Sequence, residues 1–202
     1  SHNSEKITEG LDDLRERLQL YKLNGADFAK WRAVITIGKS MPSKACLHSN
    51  AHALARYASL CQENGLVPIV EPEVLMDGNH SIETCFNTTE KALQAVFYEL
   101  NLLKVDLEAI VLKPNMVLSG NLSNEIIDNN QIAEMTFQVL KKNVPEQVPG
   151  IAFLSGGQSS DEAAERLNLL NQLYSNKPWN LTFSYGRALQ QDALLAFSKG
   201  DL

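Results

Sequence analysis

The residue best placed for covalent chemistry is Lys113, which follows the apolar run 109–112 and precedes Pro114. A lysine at the end of an apolar strand is desolvated, which favours the neutral amine over the ammonium ion. A neutral amine attacks a ketone to form an imine, and the protonated imine accepts electrons when a neighbouring carbon–carbon bond breaks. The alternative is a lysine that simply emerges into solvent, so a catalytic role for Lys113 needs evidence from other residues.

Two pairs of charged residues provide that support. Lys30 and Arg32 are two positions apart, as are Glu71 and Glu73, so on strands each pair shares one face. Buried cations are costly unless they are paired, which implies an anionic partner or substrate. Neighbouring carboxylates suit general acid/base work, in which one transfers protons and the other orients it. The simpler alternatives are a solvated basic edge strand and salt bridges between the pairs, and salt bridges are compatible with catalysis.

Two loops near the end of the chain have the composition of phosphate sites. Ser155 and Gly156 follow one apolar stretch, and Ser184, Gly186 and Arg187 follow the next. Glycine lets backbone N–H groups approach an anion, serine adds a hydroxyl donor, and arginine adds a bidentate cation. Either loop alone is typical of an ordinary strand-to-helix turn, but the two together indicate a phosphate-binding region.

The histidines and cysteines give weaker signals. His48 and His52 have the i,i+4 spacing that can bind zinc, but there is no HExxH motif and no evident third ligand. We therefore interpret them as a solvated or core pair and predict no metal. Cys46, Cys61 and Cys85 match no CxxC motif and are odd in number, so buried, reduced thiols are expected.

Composition limits the classes of function. The chain has 202 residues, 44% of them hydrophobic, which suits one compact domain over 1–202. A formal net charge of -6 argues against broad binding to nucleic acid or to an anionic membrane. No apolar run approaches the ~20 residues of a spanning helix, and no signal peptide is visible, so we expect a cytoplasmic protein.

Helices and strands alternate along the chain. Amphipathic patterns predict helices over 7–21, 43–64, 81–104, 124–142, 160–175 and 188–198. Apolar, β-branched runs predict strands over 28–37, 67–70, 109–112, 150–154 and 180–183. Short apolar strands between helices indicate a parallel sheet covered on its outer face.

The strand ends recur regularly, and each ends in a polar residue. Lys30, Glu71, Lys113 and Ser155 are 41, 42 and 42 residues apart, and Ser184 follows 29 later. Chemistry at the carboxyl ends of strands is typical of the (β/α)8 barrel. An open doubly wound sheet is the alternative, although no GxGxxG motif follows a strand. A closed barrel needs eight strands, so we expect this chain to supply about five βα units.

Five sequence segments resemble class I fructose-bisphosphate aldolases, in order and at the family's spacing. They are GADFAKWR at 25–32, VPIVEPE at 67–73, LKPNM at 112–116, FLSGGQS at 153–159 and LTFSYGRAL at 181–189. The resemblance implies strands four to eight of a TIM barrel, without the first three strands and the C-terminal tail. Lys113 would then form the imine with the C2 ketone of fructose 1,6-bisphosphate, and Glu71 would act as the general acid/base.

The resemblance also assigns the surrounding residues. Lys30 would assist electrostatically, Glu73 would orient the lysines, and Arg32 would contact the C6 phosphate. The C1 phosphate would be held by Ser155, Gly156, Ser184, Gly186 and Arg187. The implied protein is a cytoplasmic homotetramer of glycolysis and gluconeogenesis that uses no cofactor. The alternatives are a noncatalytic aldolase fragment acting as a binding or assembly module and, less favoured, a transaldolase-like enzyme.

Overall fold

A computed structural model describes residues 5–200 and contains a five-stranded parallel sheet with its strands in chain order. The strands are β1 (Phe28–Ile35), β2 (Val67–Val74), β3 (Val111–Leu112), β4 (Gly150–Phe153) and β5 (Asn180–Phe183). The helices are α1 (Leu14–Leu23), α2 (Lys44–Glu63), α3 (Ile82–Leu102), α4 (Asn129–Asn143), α5 (Ser160–Leu173) and α6 (Arg187–Lys199). Each strand is followed by a helix, as in the βα units of a barrel.

The hydrophobic core lies between the sheet and its helices. In β1, the buried Trp31, Ala33 and Ile35 alternate with Lys30 and Arg32. Because successive side chains on a strand point to opposite faces, the two cations lie on the face away from this core. The prediction that they share a face is therefore confirmed.

The first helix begins later in the chain than the sequence pattern predicts. The helix predicted over 7–21 begins only at Leu14, because Gly10 has φ 132° and Asp13 has φ 51°. Such positive φ values interrupt a right-handed helix. The segment before them is also bound elsewhere, since the Thr8 hydroxyl donates to the backbone carbonyl of Arg32 at 2.6 Å. Tertiary bonding thus overrides the amphipathic pattern.

Strand β2 is longer than its apolar run indicates. It continues to Val74, so Glu71 and Glu73 lie within the strand rather than after it. Pairing with β1 extends over all eight residues, from Phe28 opposite Val67 to the ends of both strands. The strand predicted over 109–112 is shorter, because residues 107–109 form a 3-10 turn.

Asn115 compensates for the short β3, which pairs with only two residues of β2. The Asn115 side chain accepts a hydrogen bond from the backbone N–H of Val74 at 3.1 Å. Its amide donates to the Thr89 hydroxyl at 3.1 Å and to the Met116 carbonyl at 3.0 Å. Asn115 is 4% exposed, so water cannot replace these partners.

Asn115→Leu is therefore expected to lower the free energy of unfolding by about 2–4 kcal/mol. Leucine keeps the volume but leaves the buried N–H of Val74 without an acceptor. Urea unfolding followed by circular dichroism measures this loss. Asn121→Leu is the control, because the Asn121 side chain accepts a backbone hydrogen bond from Gly78 at the exposed surface. Equal losses in the two variants would contradict the assignment.

The cysteines follow the prediction from sequence. Cys46, Cys61 and Cys85 are free and buried. Burial raises the pKa of the Cys61 thiol to about 11, so the unreactive thiol form dominates at neutral pH.

Candidate active site

Three charged side chains meet on the open face of the sheet. The Nζ of Lys113 lies 3.2 Å from Oε1 of Glu71, and the Nζ of Lys30 lies 3.3 Å from Oε2. The Glu71 side chain is 4% exposed and that of Lys113 12%, whereas that of Lys30 is 45% exposed. One buried carboxylate therefore bridges the amino groups of two lysines, and the candidate nucleophile lies beside a candidate general acid/base.

The strand register produces this cluster. Arg32 lies opposite Glu71, so Lys30 approaches Glu71 diagonally from two residues earlier in β1. Lys113 continues the line of β3, and its backbone N–H bonds to the carbonyl of Val70 at 2.8 Å. That bond places Lys113 beside Glu71 on the next strand.

One oxygen of the Glu71 carboxylate remains incompletely bonded. Among the described residues, Oε2 receives no hydrogen bond of good geometry, although Lys30 lies at ion-pair distance. A buried carboxylate oxygen without a well-aligned donor is costly. The Lys30 ammonium, 3.3 Å away, is thus the charge that faces this oxygen.

Arg32 and Glu73 form the second ion pair on this face. The Nε of Arg32 donates a hydrogen bond to Oε2 of Glu73, and this bond raises the pKa of the guanidinium. Salt bridges between the two charged pairs, the simpler alternative considered from the sequence, are therefore present, and they are compatible with a catalytic role. The resemblance assigned Glu73 to orienting the lysines, but Glu73 contacts Arg32 here, and Glu71 contacts both lysines.

The predicted phosphate residues follow the last two strands. Ser155 comes after β4 and is 7% exposed, whereas Ser184, Gly186 and Arg187 come after β5 and are exposed. Gly156 has φ 59°, a left-handed conformation that favours glycine. Arg187 begins α6, where the first N–H groups of a helix are available to an anion.

A network that the sequence did not reveal holds the loop after β4. Gln158 donates from Nε2 to the carbonyl of Ser155 at 2.8 Å and accepts at Oε1 from Arg166 at 2.8 Å. Arg166 also donates to Asn129 at 2.8 Å and to Glu162 at 3.2 Å. Its side chain is 11% exposed. The only sequence signal is Gln158 within the FLSGGQS segment, since an arginine in an amphipathic helix is unremarkable.

Residues 5–200 contain neither a cluster of three or more metal-binding side chains nor a helix able to span a membrane. No group of three or more histidine, cysteine, aspartate or glutamate side chains is arranged to hold a metal ion. None of the helices is long and apolar enough to cross a membrane.

Comparisons with known proteins agree on one family. A family model, glycolytic fructose-bisphosphate aldolase class-I, matches residues 1–201. A probable fructose-bisphosphate aldolase class 1 of Xanthomonas campestris pv. campestris is 55% identical over 195 residues, which are 96% of this chain and 58% of that protein. Fructose-bisphosphate aldolase 4, cytosolic, of Arabidopsis thaliana is 53% identical over 195 residues, which are 96% of this chain and 50% of that protein.

A solved structure extends the comparison to three dimensions. The fructose-bisphosphate aldolase of Plasmodium falciparum, crystallised with TRAP and a small-molecule inhibitor, superimposes with a TM-score of 0.94 at 49% identity. The match covers 96% of this chain and 56% of that one. The chain thus spans about half the length of the relatives it matches, which agrees with five βα units of a barrel. These matches confirm the resemblance seen in the sequence, and the chain belongs to the class I fructose-bisphosphate aldolase family.

Proposed function

We propose that the protein containing this chain is a fructose-1,6-bisphosphate aldolase. It would cleave fructose 1,6-bisphosphate reversibly to dihydroxyacetone phosphate and glyceraldehyde 3-phosphate, in glycolysis and gluconeogenesis. The observation that carries the proposal is the contact of the largely buried Lys113 amine with the buried carboxylate of Glu71, 3.2 Å away. An amine and a proton carrier in contact are what imine chemistry requires.

In the proposed reaction, Lys113 attacks the C2 ketone, and the resulting carbinolamine loses water to give a protonated imine. Glu71 supplies the proton with which the C2 hydroxyl leaves. Glu71 then takes the proton of the C4 hydroxyl while the C3–C4 bond breaks and its electrons pass to the imine. The aldehyde product departs, the enamine takes up a proton at C3, and water releases the ketone and the free amine.

The surrounding charges support binding and proton transfer. Lys30, also in contact with Glu71, would stabilise that carboxylate and developing negative charge on the substrate. Arg32, anchored by Glu73, presents the rest of its guanidinium to the C6 phosphate. The C1 phosphate would lie between the loops after β4 and β5, on Ser155, Gly156, Ser184, Gly186 and Arg187.

The remaining features of the protein are proposed on the same basis. Residues 1–202 would form a single domain that is part of the aldolase barrel. A cytoplasmic location is supported by Arabidopsis relatives that are named as cytosolic. We also propose a homotetramer, which rests on the family resemblance alone.

Borohydride reduction in the presence of dihydroxyacetone phosphate tests the imine directly. Reduction fixes the imine as a secondary amine, and peptide mass spectrometry locates it. We expect one adduct, on Lys113. An adduct on a different lysine, or none in a folded sample, would overturn the proposed mechanism.

Arg166→Leu is expected to raise KM for fructose 1,6-bisphosphate about 10-fold, the effect of losing roughly 1.4 kcal/mol of binding. The reason is that Gln158 loses the partner that holds it against Ser155. Borohydride trapping of unphosphorylated dihydroxyacetone should not change, because this ketone has no phosphate group to contact the loop after β4. Glu165→Gln, an exposed change on the same helix, is the control. If Arg166→Leu reduced the trapping of dihydroxyacetone phosphate and of unphosphorylated dihydroxyacetone equally, Arg166 would act on stability alone.

A further inference from the structure

A second charged cluster lies on the helical layer, away from the residues assigned to catalysis. Glu99 of α3 is 1% exposed, and its two oxygens face two histidines of α2. The Nδ1 of His48 lies 3.1 Å from Oε1, and the Nδ1 of His52 lies 3.0 Å from Oε2. No lysine or arginine within residues 5–200 forms an ion pair with Glu99. Two imidazoles are thus the polar neighbours of a buried carboxylate.

The carboxylate faces the Nδ1 atom of each histidine, which leaves Nε2 on the far side of each ring. A neutral imidazole that donates its Nδ1–H carries its lone pair on Nε2, on the other side of the ring. The His52 contact has hydrogen-bond geometry, whereas the angle at His48 falls outside it. The two side chains are 71% and 44% exposed for His48 and His52, so the rings extend from the buried carboxylate to the surface.

This is the arrangement of metal-binding histidines. Such histidines commonly donate their second N–H to a carboxylate, which orients the ring and raises its basicity. His48 and His52 are four residues apart on one helix face, a spacing used for zinc. Their ring centroids are 6.2 Å apart with planes inclined by 24°. Binding one ion at about 2.0–2.1 Å from both Nε2 atoms therefore requires the two rings to rotate toward each other.

The surroundings permit a hydrated cation. Both histidines line a surface cavity of about 560 Å³ that is also lined by Glu9, Asp12 and Arg56. The two carboxylates favour a cation, and Arg56 opposes it. The cavity leaves room for water at the coordination positions that the protein does not fill.

We propose that His48 and His52 bind one divalent transition-metal ion, of the zinc class, through their Nε2 atoms. Glu99 lies behind both imidazoles and positions them. The ion takes two protein ligands and completes its shell with water. Because the histidines belong to α2 and the carboxylate to α3, bound metal links the two helices and stabilises their packing.

Isothermal titration of the purified full chain with zinc chloride at neutral pH tests the site. We expect one site whose affinity falls at least about 10-fold in His48→Asn and in His52→Asn, because each variant removes one of two ligands. His80→Asn is the control and should bind zinc like the original protein. Absence of zinc binding, or loss of binding in His80→Asn alone, would overturn the proposal.

Glu99→Gln tests the positioning role. Removing such a carboxylate weakens metal affinity about 10–100-fold while leaving both ligands in place. Because this variant changes a buried charge, its fold is checked by circular dichroism. If Glu99→Gln does not fold, the His52→Asn variant, which changes an exposed side chain, decides the proposal. In the original protein, Co²⁺ should broaden the NMR signals of His48 and His52 and spare those of His80. Broadening of His80 alone would contradict the assignment.

Discussion

Replacing Lys113 with methionine is expected to abolish cleavage of fructose 1,6-bisphosphate and to remove the borohydride-trapped adduct. Methionine is similar in length but has no amine, so no imine forms and the electrons of the C3–C4 bond have no acceptor. The loss in kcat should be large, about 10⁶-fold, as for the removal of other covalent nucleophiles. A coupled assay of triose phosphate production measures the rate, and mass spectrometry measures the adduct.

Two other lysines serve as controls for this result. Lys91→Met changes an exposed lysine of α3 and should leave rate and adduct unchanged. Lys30→Met removes a charge that contacts Glu71 but retains the amine of Lys113, so the adduct should persist while the rate falls. An adduct that survives in Lys113→Met and disappears in Lys30→Met would assign the imine to Lys30 instead.

Much of the fold follows from the hydrophobic pattern. Strand β5 has the predicted bounds, 180–183, and α2 differs from its prediction by one residue at each end. These elements end where the apolar pattern ends, so their bounds can be predicted from the sequence. The start of α1 could not be predicted, because it depends on positive φ values at Gly10 and Asp13 and on bonds to distant residues.

The candidate site could be predicted in part from the sequence for the same reason. Lys30, Glu71 and Lys113 stand out because charges at the ends of apolar runs are unusual, and a sheet brings them together. The extension of β2 through Glu71 and Glu73 could not be predicted from the sequence, because burying these carboxylates depends on cations from neighbouring strands. Arg166 and Glu99 were missed because only their partners, 4 to 51 residues away, distinguish them from ordinary helical charges.

Glu71→Gln is expected to lower kcat about 10²–10⁴-fold, the usual contribution of a general acid/base. Glutamine fills the same space and accepts a hydrogen bond from Lys113, but it cannot carry a proton between the amine, the C2 hydroxyl and the C4 hydroxyl. Imine formation should slow as well, because loss of water from the carbinolamine uses the same carboxyl. Single-turnover kinetics with dihydroxyacetone phosphate and borohydride measure that step separately from cleavage.

Glu73→Gln distinguishes the two carboxylates. Glu73 contacts Arg32 and neither lysine, so its loss should loosen the guanidinium and raise KM with little change in kcat. Glu71 contacts both lysines, so its loss should change kcat far more than KM. If Glu73→Gln instead lost the larger part of kcat, Glu73 would be the proton carrier, and the Lys113–Glu71 contact would serve only to hold the lysine in place.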